Sequence, residues 1–378
     1  MTHKKPYCLM PFIHLHIGDN GEAKACCVAN IKFGNINKLP LEQVWDNEAI
    51  NNIRSKFINN TPDKRCAVCL NIEKSGATSI RQETHENYKN LEIDYNNPTL
   101  PIYFDIRFSN VCNLKCRTCW HGASSSWFED AKILKTNKGK KAVIKNINDF
   151  DSFIEKTGLA LQGAKEIYLA GGEPLVTEEH YLLLQWLIDH KLTDIKLRYN
   201  TNLTILKYKG KSVIDYWKQF KNVEILASID ANNDLASYVR TNSNWESIKK
   251  NIQVIKSLSH ISVQISPTIS ILNVEFIPEL INECISLNFI TEDDIYINIL
   301  ERPIHYNIQV FPTEIKSRIE NKLFQYKSSL TSQKFISQIN EIIQYMNSQD
   351  QSIHWPKFTL ENKKLDHLRN EKSILPYY

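Results

Sequence analysis

Residues 104–120 read FDIRFSNVCNLKCRTCW. A short apolar run, Ile102–Ser109, has the length and composition of a strand. It opens directly into a loop carrying Cys112, Cys116 and Cys119 in the spacing C-x3-C-x2-C. A loop at the C-terminal end of a barrel strand is where α/β barrels place their chemistry. Three thiolates on one short loop can bind three irons of a 4Fe–4S cube and leave the fourth iron open to a cofactor or substrate. Electron-transfer ferredoxins use four cysteines per cluster and leave no such vacancy. The competing reading of the triad is a zinc site or a chance grouping of thiols.

Downstream of this loop, strand and helix alternate. Strands are expected at Ile102–Ser109, Glu166–Ala170, Asp194–Tyr199, Val223–Ser228, Ile261–Ser270 and Ile295–Leu300, each near-continuously apolar in places, as strands of a parallel sheet buried on both faces are. Between them lie helical segments at Glu179–His190, Lys211–Phe220, Trp245–Leu258 and Phe276–Leu287. Trp245, Ile248, Ile252 and Ile255 fall on one helical face. The expected fold is α/β, a partial (β/α)6 TIM-like barrel over 102–300. A small cysteine-rich N-terminal domain over 1–95 precedes it, with one helical stretch around Leu41–Asn59. A mostly helical C-terminal extension over 301–378 follows, with a loose tail expected from about Gln349.

Bulk properties exclude several classes. No 18-residue apolar run is present, so no transmembrane helix is expected. The N-terminal stretch MTHKKPYCLMPF lacks a signal-peptide core. A net charge of +4, from 46 basic and 42 acidic residues, gives no argument for nucleic-acid binding. A cytoplasmic protein is expected. In a reducing compartment, nine cysteines this clustered point to metal ligands before disulfides.

Other motifs fall at expected strand ends. The second strand runs into Ala170-Gly171-Gly172-Glu173-Pro174, where two glycines let backbone approach a ligand and Glu173 offers a carboxylate to an ammonium group. The third ends in Asn200-Thr201-Asn202. The fourth ends in Ala227-Ser228-Ile229-Asp230 and is followed by Arg240, whose guanidinium fork suits a carboxylate. Ser270 and Asn273 stand at the end of the fifth. With the C-x3-C-x2-C loop, this order resembles the radical S-adenosylmethionine (AdoMet) superfamily. The resemblance implies that AdoMet chelates the open iron of a 4Fe–4S cluster on Cys112, Cys116 and Cys119. One electron then cleaves the S–C5′ bond, and the resulting 5′-deoxyadenosyl radical takes a hydrogen atom from substrate. It further implies that Gly171, Gly172 and Glu173 hold the AdoMet amine, that Ser228 and Arg240 hold its carboxylate, and that Asn200 contacts its ribose or methionine. The family usually has an aromatic residue just before the third cysteine; here Thr118 stands there, with Trp120 just after.

Five further cysteines precede residue 70. Cys8-Leu-Met-Pro leads to the turn Asp19-Asn20-Gly21, a hairpin signal, then to Cys26-Cys27, and later to Cys66-x2-Cys69. This pattern resembles the SPASM/twitch auxiliary-cluster domain, set before the barrel rather than after it. The resemblance implies a fully ligated auxiliary 4Fe–4S cluster on Cys8, Cys26, Cys66 and Cys69. Adjacent residues of a strand face opposite ways, so only one of Cys26 and Cys27 points inward, and the pattern favours Cys26. A four-cysteine structural zinc site has the same ligand count. Cys27 and Cys284 are expected as core thiols or a spare ligand. Glu73, Gly76, Ser79 and Arg81 either pack at the barrel mouth or lie on a solvated helix.

The partners implied are a reductant such as flavodoxin or ferredoxin and a substrate. Relatives with auxiliary domains often modify peptides or proteins, so a peptide or protein substrate is favoured over a small molecule such as a sugar or nucleotide. The short stretch before Cys8 argues mildly against a standalone peptide-maturase layout. A ferredoxin-like carrier would not need the Gly-Gly-Glu turn or Arg240. A zinc-binding interaction module is the reading from another class.

Overall fold

In the computed structural model, which describes residues 6–74, 78–139, 141–147 and 149–377, the strand before the cysteine loop is Tyr103–Ile106. Contacts divide the chain into two units. The first gathers Met1–Asn110, Val143–Arg198 and Asp215–Asn222; the second gathers Val111–Ala142, Tyr199–Ile214 and Val223–Tyr378.

In the first unit, strand His14–Ile17 forms an antiparallel hairpin with Glu22–Lys24, which pairs in turn with Lys32–Asn35. Gly21 takes a φ of +78°, the conformation the Asp19-Asn20-Gly21 turn needs. On its other edge, His14–Ile17 pairs parallel with Tyr103–Ile106, which pairs parallel with Glu166–Leu169. Side chains alternate along a strand. Leu15, Ile17, Phe104, Ile106, Ile167 and Leu169 are all 0 % exposed and share one face. Burying them contributes on the order of 10 kcal/mol, and a one-residue slip would turn the whole set over, which pins the register. The opposite face carries two polar rows in register, His14–Tyr103–Glu166 and His16–Asp105–Tyr168. The expectation of strands apolar on both faces is thus met on one face only.

The expected helix over Leu41–Asn59 is two helices, Leu41–Trp45 and Glu48–Ile58. Asn47 separates them because its side chain accepts from the N–H groups of Ala49 and Ile50 and caps the second.

Strand Lys196–Thr201 begins in the first unit and ends in the second. Within the second unit, Val223–Ala227 pairs parallel with Ile261–Ile265. The longer strand expected over Ile261–Ser270 is interrupted after Ile265. Pro267, without an N–H, cannot continue the ladder, and pairing resumes at Thr268–Ile269 against Asn298–Ile299. Helix Trp245–Lys256 buries Trp245, Ile248, Ile252 and Ile255 as its spacing predicts. The extension holds helices Thr313–Lys327, Gln333–Asn347 and Trp355–Arg369. The last corrects the loose tail expected from about Gln349. Its buried stripe is only Phe358, Asn362 and Leu365, too narrow to stand out in a polar sequence, and one member is an asparagine.

Candidate active site

The cysteine loop is held by its own flanking turn. Ser126 Oγ donates to the Cys112 carbonyl at 2.6 Å, Ser124 Oγ to the Leu114 carbonyl at 2.7 Å and Trp127 Nε1 to the Cys116 carbonyl at 2.7 Å. These bonds orient the loop; the Cys119 thiol itself makes a long contact to the Trp120 carbonyl, at 3.9 Å. Burial pushes the Cys119 thiol up to about 12. Burial also raises Cys116, with Arg240 opposing it. Metal ligation by thiols raised in this way releases protons and draws on the metal's own charge.

Lys115–Cys116 pairs antiparallel with Arg240–Thr241, which sets Arg240 directly opposite Cys116. Arg240 grips Asp230 with both edges of its fork, at 2.7 and 3.0 Å, and its remaining Nη1 lies 3.8 Å from Cys116 Sγ. The pair is held in place, since Asp230 also accepts from the Thr268 N–H at 2.8 Å. Leu114, Asn202, Ser228, Asp230 and Arg240 line one narrow cavity. Asn202 donates to Asn113 inside the cysteine loop at 3.0 Å, tying the end of the third barrel strand to that loop. Asn200 Oδ1 is buried without a hydrogen-bond partner among the described residues, an orphaned acceptor of the kind a bound ligand would satisfy. Asn273, by contrast, is fully buried and spends its amide on Ser270, Asp230 and Thr268, so it shapes the turn.

Three residues of the second unit escape a reading of the sequence. Asp230 stands in the quoted Ala-Ser-Ile-Asp stretch, and Asn113 and Arg117 lie inside the cysteine motif itself. Arg117 is 1 % exposed and stacks 3.7 Å over the Tyr238 ring. It donates to the Tyr238 carbonyl, Asn362, Asp366 and Glu371. Arg369 reaches the Lys115 carbonyl at 2.9 Å and Asp130 at 2.9 Å. The stretch Leu365–Arg369 therefore braces the cysteine loop.

In the first unit, Gly171 has a φ of +119°, and a Cβ there would stand 3.0 Å from the Ser109 carbonyl oxygen. Gly172 N–H donates to that same oxygen at 3.0 Å. Only glycine at 171 allows this close approach. Glu173 is 2 % exposed; its Oε1 accepts from the Leu175 N–H at 3.1 Å and caps the turn Pro174–Val176.

The N-terminal cysteines come from separate stretches. Cys8, Cys26 and Cys69 are buried, Cys66 is half-buried and Cys27 is exposed. Burial raises the Cys8 thiol, and Cys26, Cys66 and Cys69 add to the effect from close by. Cys66 is pushed up to about 11, by burial first and then by Cys26. Arg81 bridges Glu73 at 2.5 Å, donates to the Tyr7 carbonyl at 2.8 Å and lies over the Tyr7 ring, so this stretch closes around Cys8 and Cys69. Gly76 lies outside the described residues. Among the described residues, no three His, Cys, Asp or Glu side chains are gathered tightly enough for a single ion. A 4Fe–4S cube binds each thiolate to a different iron and so spreads its ligands farther apart than a single ion does.

The SPASM profile, an iron–sulfur cluster-binding domain, matches residues 8–70, and the radical SAM superfamily profile matches residues 106–283. No curated protein sequence matches the chain. Among solved structures, native anSMEcpe with bound AdoMet is similar at a TM-score of 0.43 and 14 % identity, over 60 % of this chain and 60 % of that one. SuiB of Streptococcus suis bound to S-adenosylmethionine is similar at 0.38 and 18 %, over 71 % of this chain and 51 % of that one. The chain thus spans 60 % of the length of the first of these. The radical SAM superfamily match thus covers the partial α/β barrel, and the SPASM match lies ahead of it in the chain. Domains of these two kinds imply 4Fe–4S clusters and AdoMet as cofactors. Among the described residues, no helix is long and apolar enough to cross a membrane.

Proposed function

We propose that this protein is a radical SAM enzyme that cleaves AdoMet reductively and acts on a peptide or protein. Cys112, Cys116 and Cys119 hold the catalytic cluster, and Cys8, Cys26, Cys66 and Cys69 hold the auxiliary one. In this reading residues 1–95 form the auxiliary domain, 102–300 the barrel and 301–378 a bracing extension. When bound, the cluster and AdoMet together supply reductive S–C5′ cleavage and hydrogen-atom abstraction. The chain's own residues bind and orient. Gly171 and Gly172 open the backbone to the methionine amine, which Glu173 receives; Ser228 and Arg240 take the carboxylate; Asn200 offers its orphaned oxygen to the ribose or methionine. Asp230 fixes the orientation of Arg240, and the Arg240 charge favours the thiolate of Cys116. Electrons come from a flavodoxin- or ferredoxin-like donor, and the thiol chemistry suits a reducing, cytoplasmic setting.

The observation that carries this reading is Arg240. Strand-paired with Cys116, with Nη1 at 3.8 Å from its sulfur, it borders the same cavity as Ser228 and Asn202. The experiment is anaerobic reconstitution with iron and sulfide, followed by AdoMet and dithionite. 5′-Deoxyadenosine is the expected product, and its absence from fully loaded protein would sink the proposal.

A further inference from the structure

The polar face of the first unit's sheet has no part in the AdoMet chemistry proposed above. Small α/β barrels fill their interior with branched aliphatic side chains. Here three neighbouring parallel strands present His16, Asp105 and Tyr168 in one register row, with His14, Tyr103 and Glu166 in the next. Polar side chains at positions that usually pack a core cost stability unless something uses them.

The upper row is already a linked system. His16 Nδ1 lies 2.8 Å from Asp105 Oδ2. Arg107, two residues on and so on the same side of the strand, places Nε and Nη2 each 3.3 Å from the Asp105 oxygens. Asp105 is 2 % exposed, and its two cationic or donor partners hold it ionised. The Arg107 side chain is 32 % exposed, and its Nη1 has no hydrogen-bond partner among the described residues. Asp19, in the hairpin turn, lies within electrostatic reach of Arg107 and His16. The exposed Cys27 has Asp105 and Arg107 as its nearest charges.

The charges decide what such a place can hold. Asp19, Asp105 and Glu166 bring three negative charges; Arg107 and Arg198, which lies 5.8 Å from the Tyr168 ring, bring two positive ones. Lys24 is paired with Glu22 at 3.2 Å. With His16 neutral the group is slightly negative, and with His16 protonated it is balanced. A phosphate dianion gains little there, because Arg107 already answers to Asp105 and the charges around it sum to no positive excess. What stands available is one donor edge, on Arg107, and one acceptor, on Asp19. That pair matches a group with an acceptor and a donor on one side: the C=O and N–H of a single residue in an extended peptide, which face the same way.

We infer that His16, Asp19, Asp105 and Arg107 form a substrate-anchoring site for a peptide backbone. Arg107 Nη1 donates to a substrate carbonyl, Asp19 accepts from a substrate N–H, and His16 and Asp105 hold the guanidinium in place. This inference deepens the reading above and rests on it for the chemistry, but not for the binding.

The test uses full-length protein, anaerobically reconstituted and loaded with AdoMet, titrated calorimetrically with a panel of N-acetyl dipeptide amides and, separately, with uridine monophosphate and glucose 6-phosphate. At least one dipeptide amide should bind. Arg107→Met should weaken it about tenfold or more, and Asp19→Asn several-fold, as expected for losing hydrogen bonds to charged groups. Arg107→Lys should recover part of the loss. Iron content and the visible spectrum report whether each variant is intact. Asp19→Asn, in a turn, keeps the question answerable even where Arg107→Met loses its metal. If no dipeptide amide binds, or if Asp19→Asn or an intact Arg107 variant binds as wild type does, the site is not an amide anchor. Tight binding of either phosphate that is lost in Arg107→Met also overturns it. Failure of the AdoMet reading looks different: no 5′-deoxyadenosine from wild type, whatever the titrations give.

Discussion

The two cysteine sites solve one problem in opposite ways. The central site takes Cys112, Cys116 and Cys119 from a single short loop, whereas the N-terminal site draws Cys8, Cys26, Cys66 and Cys69 from three separate stretches of chain. Compact ligation leaves the central loop with little chain to anchor it, so its bracing comes from far away. Arg117, between two of the cysteines, is buried against Asn362, Asp366 and Glu371, and Arg369 returns to the Lys115 carbonyl. The N-terminal site needs less help from a distance. Asp63 holds Arg65 and Lys56, and Glu73 holds Arg81, all close in sequence to Cys66 and Cys69. A site built from one loop depends on tertiary clamps; a site built from several stretches is itself the clamp.

The comparison breaks most sharply at the ligands. Changing Cys112, Cys116 and Cys119 together to Ala should abolish 5′-deoxyadenosine formation, with iron falling to about half as four irons of two clusters are lost. Undiminished product would end the assignment. Changing Cys66 and Cys69 to Ala should do the reverse: auxiliary iron disappears and the central cluster still loads. Metal binding supplies folding free energy to small cysteine-rich segments, so proteolysis of residues 1–95 should quicken. One equivalent of zinc in anaerobically purified wild type, with iron only on the central loop, would overturn the auxiliary assignment.

The bracing gives a smaller effect. Arg117→Met strands Asp366, Glu371 and Asn362 and should cost about 3–5 kcal/mol, the range for breaking a buried ionic network by removing one partner. Arg65→Met, at a side chain 46 % exposed, should cost no more than about 1 kcal/mol. Urea midpoints of the two variants check the ranking. Equal losses would mean that the central loop stands without its distant clamp.

Much of the central site is legible in the amino-acid sequence. The C-x3-C-x2-C loop, the Gly-Gly-Glu turn and Arg240 each announce themselves because their chemistry needs particular residue types at one strand end. The clamp does not. Arg117 reads as one more charge in a loop, and its partners lie on a helix whose buried stripe is Phe358, Asn362 and Leu365. Long-range pairing of that kind leaves no local periodicity. The polar sheet face is visible in HLHI, YFDI and EIYL as strict alternation, and is obscured by the expectation that parallel strands are apolar on both sides. Asp230 escapes for a different reason: a carboxylate near an arginine is ordinary until geometry sets both edges of the fork upon it.

The mildest prediction concerns acid, and it turns on a buried histidine beside the N-terminal cysteines. His14 is 2 % exposed, and its Nδ1 lies 2.8 Å from the carbonyl oxygen of Ala25, next to Cys26. Burial lowers its pKa to about 4, with Asp105 opposing, and burial lowers that of the fully buried His180 to about 3. A histidine whose folded pKa lies below its unfolded value stabilises nothing extra above pH ~6.5, where both states are neutral. As pH falls from there, the unfolded chain takes up a proton that the folded chain refuses, so stability is lost down to the folded pKa. By pH 5 each of these residues should have removed on the order of 2 kcal/mol. His14→Gln keeps a donor for the Ala25 carbonyl and removes the titration. Its urea midpoint should therefore fall less than that of wild type between pH 7 and pH 5, and hydrogen exchange at pH 5 should be slower around residues 14–25 of the variant. If the two proteins lose stability in parallel, His14 does not titrate on folding, and the acid response of the N-terminal site must come from elsewhere.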